Sequence, residues 1–469
     1  MKKLSIFVGM IILTTLLFVL FNKLSSEEAA TDHKDRISGP FATPQDVTKA
    51  CLECHQDEAD NFMKTRHWNW LGEEIDVPGR GKMKFGKRVS INNFCIAIPS
   101  NEPRCTSCHP GYGWRDSTFD FTNADNIDCL ICHDNSGKYK KVPTEAGMPD
   151  PTVDLLLAAQ SVGKPKKQNC GNCHFEGGGG TAVKHGDLDP SVLTANKELD
   201  VHMGGMKFEC IDCHKSEKHQ IKGASHGSMI SNSNHIACTN CHSGGKLHKN
   251  QILNKHTASI ACETCHIPEF ARGMATKTYW DCSTAGQRED ETGADGLEKY
   301  IKMNGDCIWE KDVIPTYSWY NGGADYYLPG DKIEPAKTVK LNSLRGDITD
   351  RNAKISPFKV MRGKQIYDTK FSYLIIPKLF GEGGYWKTYD WNNASKLGME
   401  AAKLPYSGEY GFIETEMYWP INHTVAEKSK AVKCNECHNA GKRMDWKALG
   451  YENDPMKKGG REKNGLIKN

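Results

Sequence analysis

The pentapeptide C-x-x-C-H occurs eight times in this chain: CLECH from Cys51, CTSCH from Cys105, CLICH from Cys129, CGNCH from Cys170, CIDCH from Cys210, CTNCH from Cys238, CETCH from Cys262 and CNECH from Cys434. Sixteen of the 19 cysteines belong to it. It is the attachment signature of c-type haem, in which two thiols add to the vinyl groups and the histidine becomes an axial ligand of iron. Zinc sites pair two half-sites at set spacings, and a thioredoxin-like motif occurs once in a βαβ setting; neither gives eight copies each closed by histidine. The sequence therefore predicts eight haem c groups. They are held by Cys51, Cys54, Cys105, Cys108, Cys129, Cys132, Cys170, Cys173, Cys210, Cys213, Cys238, Cys241, Cys262, Cys265, Cys434 and Cys437. The proximal ligands are His55, His109, His133, His174, His214, His242, His266 and His438.

Seven of the motifs fall within residues 51–266, too little polypeptide per motif for seven domains with hydrophobic cores of their own. The haems must supply the apolar interior. The expected fold is a multihaem cytochrome c, mainly α, with extensive loops wrapped around a packed array of eight haems. Its segments are an N-terminal anchor or signal peptide (1–24), a tether (25–45), a haem-dense region (46–275), a haem-free segment covering the array (276–433), and the eighth haem with its tail (434–469). The haem-free segment is aromatic and glycine-rich, as in PTYSWYNGGADYYLPG, which reads as strands and turns. Within it DWNNASKLGMEAAKL reads as a helix capped by Asp390 or Asn392. The basic tail from Lys442 reads as surface.

Formal net charge is +3 without cofactors, which gives no nucleic-acid footprint. At the N-terminus Lys2 and Lys3 precede an apolar run from Leu4 to Phe21, followed by an acidic flank, and this orientation exports everything after Ser25. The run just spans a bilayer, and no A-x-A-like cleavage site follows. An uncleaved anchor on the periplasmic side is the preferred reading; a cleaved signal and a soluble periplasmic protein are the alternative.

An iron that only transfers electrons needs a second axial ligand. Ten histidines remain beyond the proximal set: His33, His67, His185, His202, His219, His226, His235, His248, His256 and His423. Their number exceeds eight, so counting does not show that any iron is open. His33 lies in the tether and is the weakest candidate; His226 and His235, in SHGSMISNSNH, come next.

The stretches NNFCIAIPSNEPRCTSCHPGYGW, NCHFEGGGGTAVKHGDLD, DVHMGGMKFECIDCHKSEKHQIKG, LNKHTASIACETCHIPEFARG and YWPINHTVAEKSKAVKCNECH together resemble the octahaem tetrathionate reductase family, relatives of hydroxylamine oxidoreductases and pentahaem nitrite reductases. The resemblance runs from about residue 50 to 445 and includes motif number, order and the long gap before the last motif. It implies a catalytic second haem, held by Cys105, Cys108 and His109, whose distal ligand is Lys184. That lysine follows Gly177 to Gly180, which leave room for close approach to a flat macrocycle. Lysine binds iron only as the neutral amine, a state that burial beside a cation favours.

The same resemblance places Cys95 on the distal side of that haem, where its sulfur meets a sulfur substrate. Thiolates attack S–S bonds, and two electrons from a reduced haem array complete the separation of tetrathionate into two thiosulfates. Otherwise Cys95 belongs to a structural disulfide. Three spare cysteines allow one disulfide at most, and Cys282 with Cys307 is the more economical pair. The resemblance also implies seven bis-histidine haems, for which His67, His185, His202, His219, His248, His256 and His423 are the chosen distal ligands.

Two function classes follow. One is an exported multihaem reductase of tetrathionate, or of nitrite and hydroxylamine to ammonia, fed by a quinol-linked or small cytochrome donor. The other is a non-catalytic electron conduit with eight closed haems. Oxidation of hydroxylamine is a third, less favoured reading.

Overall fold

The computed structural model describes residues 33–467 apart from 73, 78, 95, 178, 224–234, 244–246 and 440–442. The anchor or signal segment, Cys95 and His226 therefore lie outside the described residues. Among the described residues no helix is long and apolar enough to cross a membrane.

Helix α1 (Pro44–Phe62) opens with a reciprocal cap: the Thr43 side chain accepts from the Asp46 backbone, the Asp46 side chain accepts from the Thr43 backbone, and Pro44 occupies the first turn, where its missing N–H costs nothing. Its backbone breaks at His55 (φ −115°, ψ 34°), the histidine of the first motif. The remaining motifs sit on single helical turns, such as Leu130–His133, Cys210–Cys213, Cys262–His266 and the end of α2 (Lys167–His174). One turn suffices, because residues three and four apart share a face, and that face is presented to the macrocycle.

The segment after residue 275 is a nine-stranded mixed sheet. The α2 helix leads into a small hairpin, β1 (Glu176–Gly177) with β2 (Gly180–Thr181). The large sheet then uses β3 (Thr276–Asp281), β4 (Glu291–Thr292), β5 (Glu298–Ile301), β6 (Gly305–Glu310), β7 (Thr316–Tyr320), β8 (Val339–Lys340), β9 (Lys354–Asp368), β10 (Tyr373–Leu374) and β11 (Tyr410–Pro420). Its order is β8-β11-β9-β3-β6-β5-β4, with β7 and β10 also paired to β9. Along β11, Ile413, Thr415, Met417 and Trp419 alternate inward with period two. The central β9 is buried on both faces over much of its length, as neighbours on several sides require.

The expectation of a mainly α protein is not met: among the described residues 27% are helix and 20% strand. β-Branched and aromatic residues at alternating positions outweigh local helix preference here, because they pack one sheet face against helix α3 (Trp391–Ala401). That helix occurs where the sequence places it, with the Asp390 side chain accepting from the Asn393 backbone as its cap. The same core takes in Ile91, Phe94, Ile96, Ala97 and Val183 from the haem-dense half.

Three further expectations are corrected. Residues 33–45 are not a free tether, since Gln160 donates to the Lys34 and Ile37 carbonyls and Phe41 packs beside Val47 and Leu130. The tail is not mere surface: Met444, Leu449 and Tyr451 are buried, and Arg461, 2% exposed, donates to the carbonyls of Ala258, Asp350 and Ala353. Cys282 and Cys307 are both free thiols. The Cys307 thiol donates to the Glu298 carbonyl, and burial pushes the Cys282 thiol up to about 12.

Candidate functional site

All sixteen motif cysteines line a single cavity of about 3840 Å³. Sites for one small ligand hold about 300–1,000 Å³, so this space suits a stack of macrocycles. The donor set fits the cofactor: thiols in pairs, one helical turn apart, on walls that are largely apolar. The chain carries eight covalently bound haem c groups, numbered here by motif order.

The histidine rings stand at separations that suit axial pairs. A metal–imidazole nitrogen bond is about 2.0 Å, so two trans imidazoles hold their ring centroids about 6.3 Å apart. Six pairs stand at that separation without competition: His33–His55 at 6.2 Å, His133–His219 at 6.3 Å, His214–His423 at 6.2 Å, His202–His242 at 6.1 Å, His248–His266 at 6.2 Å and His256–His438 at 6.3 Å. His174 has two partners, His67 at 6.3 Å and His185 at 6.2 Å. Two corrections follow. His33, passed over as part of a tether, faces the first-haem histidine, and His67 and His185 compete for one place instead of filling two. The buried Nε2 of His185 has no hydrogen-bond partner among the described residues.

Ligand orientation is set by the other ring nitrogen. The Nδ1 atoms of His133, His214 and His256 lie at 2.9, 2.8 and 2.8 Å from the carbonyls of Gly163, Lys222 and Ile252. Those of His423 and His438 face carboxylates, Asp187 at 3.1 Å and Asp454 at 2.6 Å. Each arrangement favours the tautomer whose Nε2 would be free to hold an iron.

His109 departs from this pattern. Of the eight motif histidines, seven line the cavity and His109 does not. Its ring is fully buried among Trp68, Trp70, Trp114, Phe119 and Phe121, with centroids 4.9–6.1 Å away. Its Nε2 lies 2.7 Å from the Trp68 carbonyl, and burial pushes its pKa down to about 3. The expectation that His109 serves the second haem as an axial ligand does not match this geometry: the nitrogen meant for iron is engaged by the backbone, on the far side of the cavity wall.

Lys184 lies on the cavity wall. The β1–β2 hairpin folds back over it so closely that a Cβ on Gly177 would stand 3.2 Å from the Lys184 Cβ. Its Nζ lies 5.8 Å from the centre of the Trp419 ring. Burial, with the charge of Lys184 added, drives the His174 and His185 imidazoles well below their usual range. The same charge reaches Cys108 of the second motif.

The segment around position 95 is close by. Phe94 packs edge-on to Trp419 at 5.7 Å, and the Phe94 carbonyl would meet a Cβ on Gly179 at 3.3 Å. Strand β9 holds this segment: the Met361 carbonyl accepts from Asn93 Nδ2 at 2.7 Å, and Gln365 Nε2 donates to the Asn92 carbonyl at 2.9 Å. Asn93, Gln365 and Trp419 were not singled out by the sequence, although Trp419 stands four residues before His423.

Contacts between motif sulfurs order the haems. The sulfurs of Cys51 and Cys129, of Cys108 and Cys173, of Cys170 and Cys210, and of Cys238 and Cys262 lie side by side. Cys132 is within electrostatic reach of Cys170, Cys213 of Cys241, and Cys265 of Cys434. The sites thus form a row in the order 1, 3, 4, 5, 6, 7, 8, with site 2 beside site 4.

Comparison with known proteins agrees. Residues 50–134 match the family model of cytochrome c554 and c-prime, and residues 277–441 match that of bacterial cytochrome c. An uncharacterized protein of Archaeoglobus fulgidus is 24% identical over 256 residues, 42% of this chain and 82% of that one. The crystal structure of octahaem cytochrome c from Shewanella oneidensis superposes with a TM-score of 0.86 at 51% identity, covering 91% of this chain and 98% of that one. With the same fold over nearly the whole length and eight attachment sites opening on one cavity, the chain belongs to the octahaem tetrathionate reductase family of multihaem c-type cytochromes.

Proposed function

We propose that this octahaem cytochrome is an exported reductase whose second haem is the catalytic one, held by Cys105 and Cys108 and ligated by Lys184. One observation carries the reading: His109 alone among the motif histidines is turned out of the cavity, while Lys184 lines it. A haem so held supplies electrons and a coordination position that no second histidine closes.

The chain's own residues do the rest. Lys87 and Arg104 line this part of the cavity and give an anionic substrate a cationic approach. Cys95 is the sulfur nucleophile. Its thiolate attacks a central sulfur of tetrathionate, so that one S–S bond forms on Cys95, the central S–S bond breaks and one thiosulfate leaves. Two electrons from the array then break the bond to Cys95, which releases the second thiosulfate and restores the thiolate. Electrons enter from a quinol-linked or small cytochrome donor on the periplasmic side.

Nitrite and hydroxylamine are the competing substrates, because an open iron position binds them without a thiol. The test is steady-state oxidation of reduced viologen by the purified octahaem protein, with tetrathionate, nitrite and hydroxylamine supplied separately. Turnover with tetrathionate at the highest kcat/KM is the expected result. A higher value for nitrite or hydroxylamine transfers the reading to nitrogen chemistry. No turnover with eight haems loaded leaves an electron conduit.

A further inference from the structure

Two buried side chains outside the haem cavity grip the loop that carries Lys184. Lys359 on β9 is 0% exposed, and its Nζ donates to the Val183 carbonyl at 2.6 Å and to Thr276 Oγ1 at 2.6 Å. Thr276, 1% exposed at the start of β3, passes its own hydroxyl hydrogen to the Ala182 carbonyl at 2.6 Å, with the His185 carbonyl at 3.3 Å. The carbonyls of residues 182, 183 and 185 are thereby tied to the sheet, and they bracket residue 184.

The two strands bring this pair together by register. β3 and β9 run parallel with Tyr279 opposite Arg362, and Thr276 and Lys359 each lie three residues earlier. The hydrogen count is matched as well. Burial pushes Lys359 down to about 7, and a neutral amine keeps two hydrogens for the two acceptors it meets.

The loop needs such a grip. Ala182 sits at φ +58°, a left-handed conformation that a residue with a Cβ holds only where its surroundings over-determine it. Neither Lys359 nor Thr276 lines the cavity, so neither binds haem or substrate.

We propose that Lys359 and Thr276 are positioning residues, which fix the backbone on both sides of Lys184 so that its amine is delivered to the second haem. The proposal rests on the assignment of Lys184 as that haem's ligand.

The experiment uses full-length holoprotein carrying Thr276→Val, Thr276→Ser, Lys359→Met or Lys184→Met. The readouts are haem content, the lysine-type signal in near-infrared magnetic circular dichroism and electron paramagnetic resonance, and the separate values of kcat and KM with viologen as donor. Thr276→Val keeps the shape and removes only the hydroxyl, so it remains informative if Lys359→Met fails to accumulate. It is expected to shift or broaden the lysine-type signal with eight haems bound, and to lower kcat about tenfold at unchanged KM, since small misplacements of a reacting group are costly. Thr276→Ser is expected to restore both. A native signal and native kcat in Thr276→Val overturn the proposal. Lys184→Met separates the two levels: if it leaves the lysine-type signal in place, the ligand assignment is wrong and the proposal falls with it. If it abolishes the signal while Thr276→Val leaves it undisturbed, only the positioning role is wrong.

Discussion

The imidazole of His33 faces that of His55 across 6.2 Å, centroid to centroid, with the ring planes 29° from parallel. That separation suits two imidazoles on one iron, which makes His33, from the segment before the first motif, the candidate second ligand of the first haem. His33→Ala is expected to leave all eight haems attached and to convert one of them to a high-spin, ligand-binding form. Titration of the reduced protein with carbon monoxide reads this directly; a count of accessible irons identical to the parent refutes the pairing.

His109 and Lys184 make opposite predictions. His109→Phe places one more ring in an aromatic nest and leaves only the Trp68 carbonyl without its partner, a cost of about 1–3 kcal/mol in stability. The haem spectrum should not change. Lys184→Met should remove the lysine-type signal and the turnover of every substrate together. A new high-spin component in the reduced spectrum of His109→Phe shows that His109 ligates iron after all.

Cys95→Ala is expected to depress tetrathionate turnover by about tenfold or more, equivalent to about 1.4 kcal/mol of barrier or greater. Hydroxylamine reduction should be spared, because it needs no sulfur nucleophile. Equal losses on both substrates point to a packing role for the residue; no loss on tetrathionate removes it from the mechanism.

The depressed pKa of Lys359 gives a stability signature with a definite sign. Its folded value is about 7 against an ordinary 10.5, so between those limits the unfolded chain binds the extra proton. The destabilisation is complete below pH 7 and is relieved as pH rises, at up to about 1.4 kcal/mol per pH unit. The Tm of the parent relative to Lys359→Met should therefore climb from pH 7 to pH 9. A flat difference shows that Lys359 stays protonated in the fold.

The attachment sites were legible because the motif is local: two thiols and a histidine within one turn need no knowledge of the rest of the fold. Helix Trp391–Ala401 was legible for the same reason, through the Asp390 cap. The distal histidines could be named from the sequence, but not which motif histidine each one faces, since the two partners of a pair lie apart in the chain. His33 was hidden by the polar composition around it. His109 shows the limit of motif reading, because five aromatic rings from residues 68–121 decide where its ring points. The sheet was under-read for a similar reason: the parallel pairing of Arg362 with Tyr279 is a long-range contact that strand periodicity does not announce.

Strand Lys354–Asp368 reaches both sides of the candidate site, holding Val183 through Lys359, Asn93 through the Met361 carbonyl and Asn92 through Gln365. A strand rises about 3.3 Å per residue, so Lys359 and Met361 are anchor points about 7 Å apart on one stiff rail. Mounted this way, the chain before position 95 and the chain around Lys184 hang from one common support, so a substitution that shifts this strand is felt on both sides of the site at once.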